Sequence, residues 1–390
     1  MVRLFPVLFQ YVNPSCRIFS ITGDTLMLTN QEYIFSLADP LADAVTVDWQ
    51  QADSATRALL VQGLRHGVGA IAHAPASFKT FLNEAEQAVA SADLASCHRA
   101  AEYYLVAGPL WISLSQGPGA LVHTYKHPGI AHTLMRTGRL SGDMAARRLL
   151  ETSLWNLQLL KQDGLTVGGS GYCHTLQVRL MHARVRSGLL TADRTTAASR
   201  PIDQREMVHT WLGFSVVALS ALQKAGLECA GETLADIFNF WQLVGRLLGI
   251  HEQLLAQMQT PAQAQHMLDQ MHAGSAKPDA NSLALMRALS EALSLRLSPA
   301  LQLPQEVMLL LIHALVRLFH GDELADRLGV RPNWTHALLP MMFDANRYRQ
   351  LRAAQDPAFR ASVIAQSRQA IGAVEANLQG AAAYQIAAQA

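Results

Sequence analysis

An all-α fold, built as a single large helical domain, is the structure that this sequence predicts. Apolar residues recur at helical spacing through nearly the whole chain, and few segments alternate with the period of two that is typical of strands. No fixed-period repeat or clear break divides the 390 residues, of which 50% are apolar. A chain of this length and composition can bury a sizeable core and can also line an apolar cavity.

Capping residues and apolar spacing place the main helices in order along the chain. Asp53 and Ser54 suit the start of the first strong helix, and Pro75 separates it from the next. The predicted helices cover residues 53–72, 76–89, 142–162, 172–188, 203–225, 233–258, 283–297 and 305–318. The glycines of GLTVGGSG, residues 164–171, predict a loop, and residues 372–390 read as a weakly packed tail.

Composition and charge exclude several classes of protein. The net charge is +1 and no Lys/Arg stripe is visible, so we expect no nucleic-acid partner. Residues 103–125 lack charged side chains, but two Gly-Pro breaks interrupt a run that would need about 20 apolar residues to span a membrane. We therefore expect no transmembrane segment there, but buried helical segments joined by a turn. The four cysteines form no CxxC pair and the first residues do not resemble a signal peptide, which favours a cytoplasmic protein.

The segment VRLMHARVR, residues 178–186, presents one imidazole between a basic and an aliphatic flank. On a helix, Arg179 and Arg186 lie within roughly 60° of His182, and Val178 and Val185 lie on its other side. A haem group would use all three features, because it needs a nitrogen ligand to iron, apolar contact and cations for its propionates. Two alternatives stay open: the arginines pair with acidic residues of a neighbouring helix, or the histidine makes an ordinary hydrogen bond in the core.

The preceding helix offers a second polar group in RRLLET, residues 147–152. Arg148 and Thr152 are four residues apart and share a helical face, with Glu151 at its edge. These residues either stabilise their own helix or form a polar lid over a reactive centre that faces His182.

Other candidate patterns carry weaker signals. His123 and His127 are four residues apart and could bind a metal on one helical face, but Pro128 would break that helix. The tryptophans at 155, 211 and 241 read as core aromatics rather than as an electron relay.

Several segments, taken together, resemble the latex-clearing proteins, a rubber oxygenase family. They are TGRL, RRLLET, GYCHTLQVRLMHARVR, PIDQREMVHTWLGFS, NFWQLVGRLLGI and GDELADRLG. The resemblance runs from about residue 53 to residue 329, and the RLMHARVR segment with its neighbours is the most specific part.

The resemblance implies a globin-like helical core with additional helices and a non-covalently bound haem b. It makes His182 the proximal iron ligand and places Arg179 and Arg186 near that ligand. Members of the family use dioxygen to cleave carbon–carbon double bonds of polyisoprene, and fungal relatives cleave a prenyl chain.

On the distal side, the resemblance implies polar roles for Arg148, Thr152 and Thr210. Two positions depart from the pattern of the rubber-cleaving enzymes. Glu151 stands where those enzymes have a lysine able to ligate the iron, and His132 stands where they have a glutamate proposed as a base. Either His132 or Glu151 moves the proton here, or the chemistry differs.

The sequence thus predicts an N-terminal extension at 1–50, a haem-binding core at 51–330 and a C-terminal helical segment and tail at 331–390. The expected function is a haem b-dependent oxygenase that uses dioxygen to oxidise an apolar, unsaturated or isoprenoid-like small molecule. The alternatives are a non-catalytic haem-binding or gas-sensing helical protein, and a purely structural helical protein.

Overall fold

Helices supply all the regular secondary structure in the part of the chain that the structure describes. This computed structural model describes residues 30–136, 143–192, 200–273 and 277–378, with the backbone alone for 143–148, 192 and 376–378. Within those ranges there is no strand, which confirms the predicted all-α class.

Twenty α-helices follow one another through the described residues. The first ten are α1 (Asn30–Phe35), α2 (Pro40–Gln51), α3 (Ser54–His66), α4 (Ala76–Ala90), α5 (Leu94–Ala107), α6 (Pro109–Leu114), α7 (Val122–Tyr125), α8 (Pro128–Arg136), α9 (Asp143–Leu159) and α10 (Ser170–Ala192). The others are α11 (Gln204–Leu212), α12 (Ala218–Lys224), α13 (Gly231–Leu247), α14 (Glu252–Leu255), α15 (Pro261–Ala273), α16 (Ala280–Leu301), α17 (Gln305–His320), α18 (Asp322–Arg327), α19 (Leu339–Gln355) and α20 (Pro357–Leu378).

The apolar core extends across the predicted domain boundaries. One cluster of buried apolar side chains reaches from Ile34 to Ile371. At the C-terminal end, Ser367 of α20 donates a hydrogen bond to the carbonyl oxygen of Leu105 in α5, at 2.7 Å. Helices on both sides of residues 50 and 330 therefore share one core, and the division into three parts stays a prediction.

Helix α10 has two faces with different partners. Arg179 and Arg186 are seven residues apart, so they lie on the same face, and both side chains are buried. That face packs against α2, which begins where Asp39 caps the backbone N–H of Ala42. The other face of α10 carries His182 and lines a cavity.

Carboxylates hold both arginines of α10. Arg179 donates from Nε and Nη2 to the two carboxylate oxygens of Asp39, at 2.5 and 3.0 Å, and from Nη2 to Glu84 at 3.1 Å. Arg186 donates from Nε and Nη2 to Asp43 Oδ1, at 2.9 and 2.8 Å. The binding of haem propionates by these arginines stays a prediction, and carboxylates from other parts of the chain already occupy both guanidinium groups. This is the alternative that the sequence left open.

Gly249 makes room for the buried ion pair. Its φ is +80°, and a Cβ atom built there would lie 2.4 Å from both Arg179 Nε and Asp39 Oδ2. The same glycine explains why the helix predicted over 233–258 ends early: α13 stops at Leu247, and the chain turns at Gly249 before α14. Any side chain at this position would disrupt the pair and strain the turn.

The break predicted around Pro118 is instead a π-helical segment. Residues Ser115–Leu121 continue the helical path between α6 and α7, with Pro118 inside. Proline has no N–H to donate, and the wider π-turn tolerates the missing hydrogen bond. A second π-segment, Gly213–Val217, packs against the first. Gly213 lies so near α7 that an added Cβ would be 3.1 Å from His123 Cδ2.

No single helix among the described residues is long and apolar enough to cross a bilayer. Helices α16 and α17, bent by 114° at their junction, meet the length and composition requirement only as a pair.

We predict that Arg179→Met lowers the free energy of unfolding by about 3–5 kcal/mol, because Asp39 would remain buried without its partner. Denaturant unfolding measures the change. As a matched control, Arg327→Met removes the exposed pair with Glu323 in α18 and should cost about 0.5 kcal/mol or less. Adding Asp39→Asn to Arg179→Met should recover part of the loss. Equal stability of the Arg179 variant and the unchanged chain would contradict the importance of the pair.

Candidate active site

A large cavity lies among α8, α9, α10 and α11. Its volume is about 1260 Å³ including its opening to solvent. From α10 it is lined by Val178, Met181, His182 and Val185. These four residues form a face of α10 adjacent to the one that packs against α2, so the two ion pairs of Arg179 and Arg186 set which side of the helix faces the cavity.

Three tryptophans give the cavity apolar walls. Trp155 donates its indole N–H to Thr175 Oγ1 at 3.0 Å, and Trp241 donates to the Tyr104 hydroxyl at 2.9 Å. Trp211 donates to the carbonyl oxygen of Trp241 at 2.8 Å. Because every indole N–H has a partner, the rings present carbon to the cavity at no hydrogen-bonding cost. The three tryptophans that the sequence predicted as core aromatics thus also line the cavity.

Polar groups from two helices share this cavity with the imidazole. Glu151 and Thr152 line it from α9, Thr210 lines it from α11, and His182 lines it from α10. The structure therefore brings together four of the residues that the sequence singled out. Their individual catalytic roles stay predictions.

Two other predicted site residues are placed differently. His132 has an exposed side chain on α8, whose Ile130, Thr133 and Leu134 line the cavity instead. Residues two positions apart on a helix point about 160° apart, so the face that serves the cavity excludes His132. This placement gives no support to His132 as the base. Arg148 belongs to α9, and its side chain lies outside the part of the chain that the structure describes.

Glu206 is a cavity residue that sequence reasoning missed. It lines the cavity one helical turn before Thr210, and its Oε2 accepts a hydrogen bond from the backbone N–H of Ile202 at 2.9 Å. Burial, with a smaller contribution from the nearby Asp203 carboxylate, raises the pKa of Glu206 to about 7 against the opposing effect of the Ile202 hydrogen bond. The spacing of four residues in EMVHT, which places Glu206 and Thr210 on one face, was the available signal.

Gly129 of helix α8 leaves room for the Glu206 carboxyl. A Cβ atom at Gly129 would lie 3.2 Å from Glu206 Oε1. A carboxyl with a pKa near neutrality can exchange a proton at ordinary pH, which is the property of a general acid or base. The cavity thus combines an imidazole, hydroxyl groups and a titratable carboxyl within walls that are mostly apolar.

Comparisons with known proteins identify the family. The catalytic domain described as "ER-bound oxygenase mpaB/B'/Rubber oxygenase" matches residues 105–354. A solved structure of a latex clearing protein, LCP, in the closed state is similar with a TM-score of 0.62. The similarity covers 89% of this chain and 92% of that chain at 20% sequence identity, and shows a shared fold. A search of curated proteins finds no match. Because the family match covers more than half of the chain, this protein belongs to the mpaB and rubber oxygenase family and is an oxygenase.

Proposed function

We propose that this protein is a haem b-dependent oxygenase that uses dioxygen to oxidise a carbon–carbon double bond of an apolar, isoprenoid-like molecule. The observation that carries the proposal is the cavity in which His182 faces hydroxyl and carboxyl groups between tryptophan walls. Family membership supports the oxygenase chemistry.

The residues of the cavity suit a haem whose iron would be held by one imidazole. A haem requires a nitrogen ligand and broad apolar contact on both faces. His182 offers the nitrogen, and Val178, Val185 and Trp155 offer apolar surface. Among the described lining residues His182 is the one histidine, so the ligand assignment has no competitor inside this cavity.

The propionates of a haem would need partners other than those first predicted. Among the described residues that line the cavity there is no arginine or lysine. Arg179 and Arg186 bind carboxylates on the adjacent face of α10, so we do not assign propionates to them. The fit therefore rests on the imidazole and the apolar walls.

The protein's own groups would act around the reacting molecules. When bound, a haem supplies the iron that takes up dioxygen and exchanges electrons with it. His182 would hold that iron through a neutral ring nitrogen. The hydroxyls of Thr152 and Thr210 would donate hydrogen bonds where negative charge develops on oxygen. The tryptophan walls would exclude bulk water and hold an apolar chain.

Glu206 is our candidate for the proton-transfer group. Its carboxyl faces the cavity, and the Ile202 N–H fixes Oε2, which leaves Oε1 to take or give a proton. The glutamate that the rubber-cleaving enzymes have as a proposed base is replaced here by His132. His132 is exposed and lies outside the cavity, so its position does not support the same role. Glu206 reaches the cavity from a different helix and supplies a carboxyl of suitable pKa.

We predict that His182→Ala abolishes the haem Soret band of the purified protein, because the axial ligand is lost. His132→Ala, an exposed histidine outside the cavity, is the matched control and should keep the band. Far-ultraviolet circular dichroism confirms that both variants fold. A Soret band of unchanged position and intensity in His182→Ala would refute the ligand assignment, as would an unchanged chain that takes up no haem on reconstitution.

The raised pKa of Glu206 predicts a specific dependence of stability on pH. The folded-state pKa of about 7 exceeds the usual 4.5, so the protonated carboxyl is the form that folding favours. The contribution of the protonated carboxyl to the free energy of unfolding is full below pH 4.5 and is lost as the pH rises to about 7. Glu206→Gln stays neutral and should therefore gain stability relative to the unchanged chain across this window, as measured by denaturant unfolding.

Thr210→Val is the control for the Glu206 series. It alters the same wall of the cavity without an ionisable group, so its stability difference should not change with pH. A pH-independent difference for Glu206→Gln as well would show that the carboxyl titrates normally.

The proposed substrate class predicts oxygen uptake with an isoprenoid oligomer and none with its fully hydrogenated counterpart. Cleavage of one double bond by one dioxygen molecule gives two carbonyl groups and leaves no other product to account for. An oxygen electrode measures the oxygen uptake, and mass spectrometry detects the aldehyde or ketone products. Uptake with the saturated compound, or uptake without carbonyl products, would contradict double-bond cleavage.

A further inference from the structure

A cluster of three histidines lies outside the cavity described above. His123 of α7, His209 of α11 and His272 of α15 each place a ring nitrogen within 4.8 Å of the others. His123 and His209 are each 1% exposed, and His272 is half-buried. The sequence pointed to His123 with His127 as a weak metal candidate, but the fold pairs His123 with two histidines from distant parts of the chain.

Ring nitrogens in this cluster are buried without hydrogen bonds. Among the described residues, no partner satisfies His123 Nε2 or either ring nitrogen of His209. A buried polar atom left without a partner costs about 1–3 kcal/mol, so three of them together call for an explanation. Imidazole nitrogens are common metal ligands, and a bound metal ion would satisfy these atoms.

The arrangement of the rings is close to that of a three-histidine metal site. His123 and His209 stack at a centroid distance of 4.2 Å, and His272 lies 5.2 Å from His123. Tetrahedral zinc with nitrogen ligands at about 2.1 Å needs those nitrogens about 3.4 Å apart, so movements of about 1 Å, with rotation of one of the two stacked rings, would complete the site. Gly213 lets α11 and the following π-segment approach His123 closely, since a Cβ there would crowd its ring.

We propose that His123, His209 and His272 bind a divalent transition-metal ion of the zinc type, at a site separate from the His182 cavity. Thr124 and Thr210 line the His182 cavity, whereas the adjacent His123 and His209 belong to the cluster. Helices α7 and α11 therefore each contribute a threonine to the cavity and the adjacent histidine to the histidine cluster. The proposal does not depend on haem binding at His182.

A fourth ligand would come from a second cavity that borders the cluster. His209 and His272 line this space of about 850 Å³, together with Lys126, Lys277 and Arg327. Three protein ligands and one open position are the arrangement of catalytic rather than structural zinc. The surrounding positive charge favours a hydroxide or a small anion as the fourth ligand.

Lys126 opposes the metal in the empty site. Its Nζ lies 2.7 Å from His272 Nε2, so a metal ion would have to displace it or bind the other ring nitrogen. In either case a nearby ammonium group repels a cation. Removal of Lys126 should therefore tighten metal binding, an effect that a merely structural histidine cluster would not show.

The test is a titration of chelator-treated protein, prepared without a histidine tag, with Co²⁺ and Zn²⁺. We expect one Co²⁺ per chain with visible d–d absorption, displacement by Zn²⁺, and a higher Tm with Zn²⁺. His182→Ala should bind the same amount, which separates this site from haem iron. His123→Ala and His209→Ala should lose binding, and Lys126→Met should tighten it.

His272→Ala and His266→Ala form the matched pair of variants. Both residues belong to α15, and His272 is only half-buried, so its substitution should leave the fold intact. His272→Ala should weaken Co²⁺ binding by about tenfold or more, equivalent to about 1.4 kcal/mol, and the exposed His266→Ala should leave it unchanged. Equal Co²⁺ binding by these two variants would overturn the proposal, as would an unchanged chain that binds no Co²⁺ or Zn²⁺.

Discussion

The buried ion pair between Arg179 and Asp39 is the interaction on which the geometry of the cavity depends. It joins two helices whose residues are 140 positions apart in sequence, and Arg186 repeats the contact two turns later with Asp43. Two fixed points on one face of α10 prevent the helix from rotating about its axis. His182 lies on the adjacent face, so the same contacts direct its imidazole into the cavity. Burial of the pair is tolerable because carboxylates and guanidinium groups compensate one another in direct contact.

Helices α7 and α11 form a partition with different chemistry on its two sides. Threonine hydroxyls and the Glu206 carboxyl face the apolar cavity, whereas His123 and His209 pack against each other in the histidine cluster. The two π-segments lie at this partition, and their glycines allow close packing there. Consecutive residues of an α-helix point about 100° apart, which lets α7 and α11 supply neighbouring residues to separate sites.

The sequence predicted the helices well because apolar periodicity is a local property. Helical spacing also singled out His182, Glu151 and Thr152, and the family resemblance singled out Thr210; all four line one cavity, and their roles stay predictions. The sequence did not reveal that the partners of Arg179 and Arg186 are Asp39 and Asp43, because those carboxylates come from a distant helix. The histidine cluster was hidden for the same reason, as its members are separated by 86 and 63 positions. The expectations from the sequence differ from the fold in which distant residues pair, and not in the local helices.

The family assigns oxygenase chemistry to this chain, and we propose that side chains of the His182 cavity perform it. A crystal structure of the purified, coloured protein tests the central claim most directly. We expect a porphyrin in the cavity beside Trp155, with its iron bound to a ring nitrogen of His182 and the Arg179–Asp39 pair intact on the adjacent face of α10. A porphyrin ligated by another residue, or a cavity filled by side chains with no porphyrin, would contradict the proposed active site.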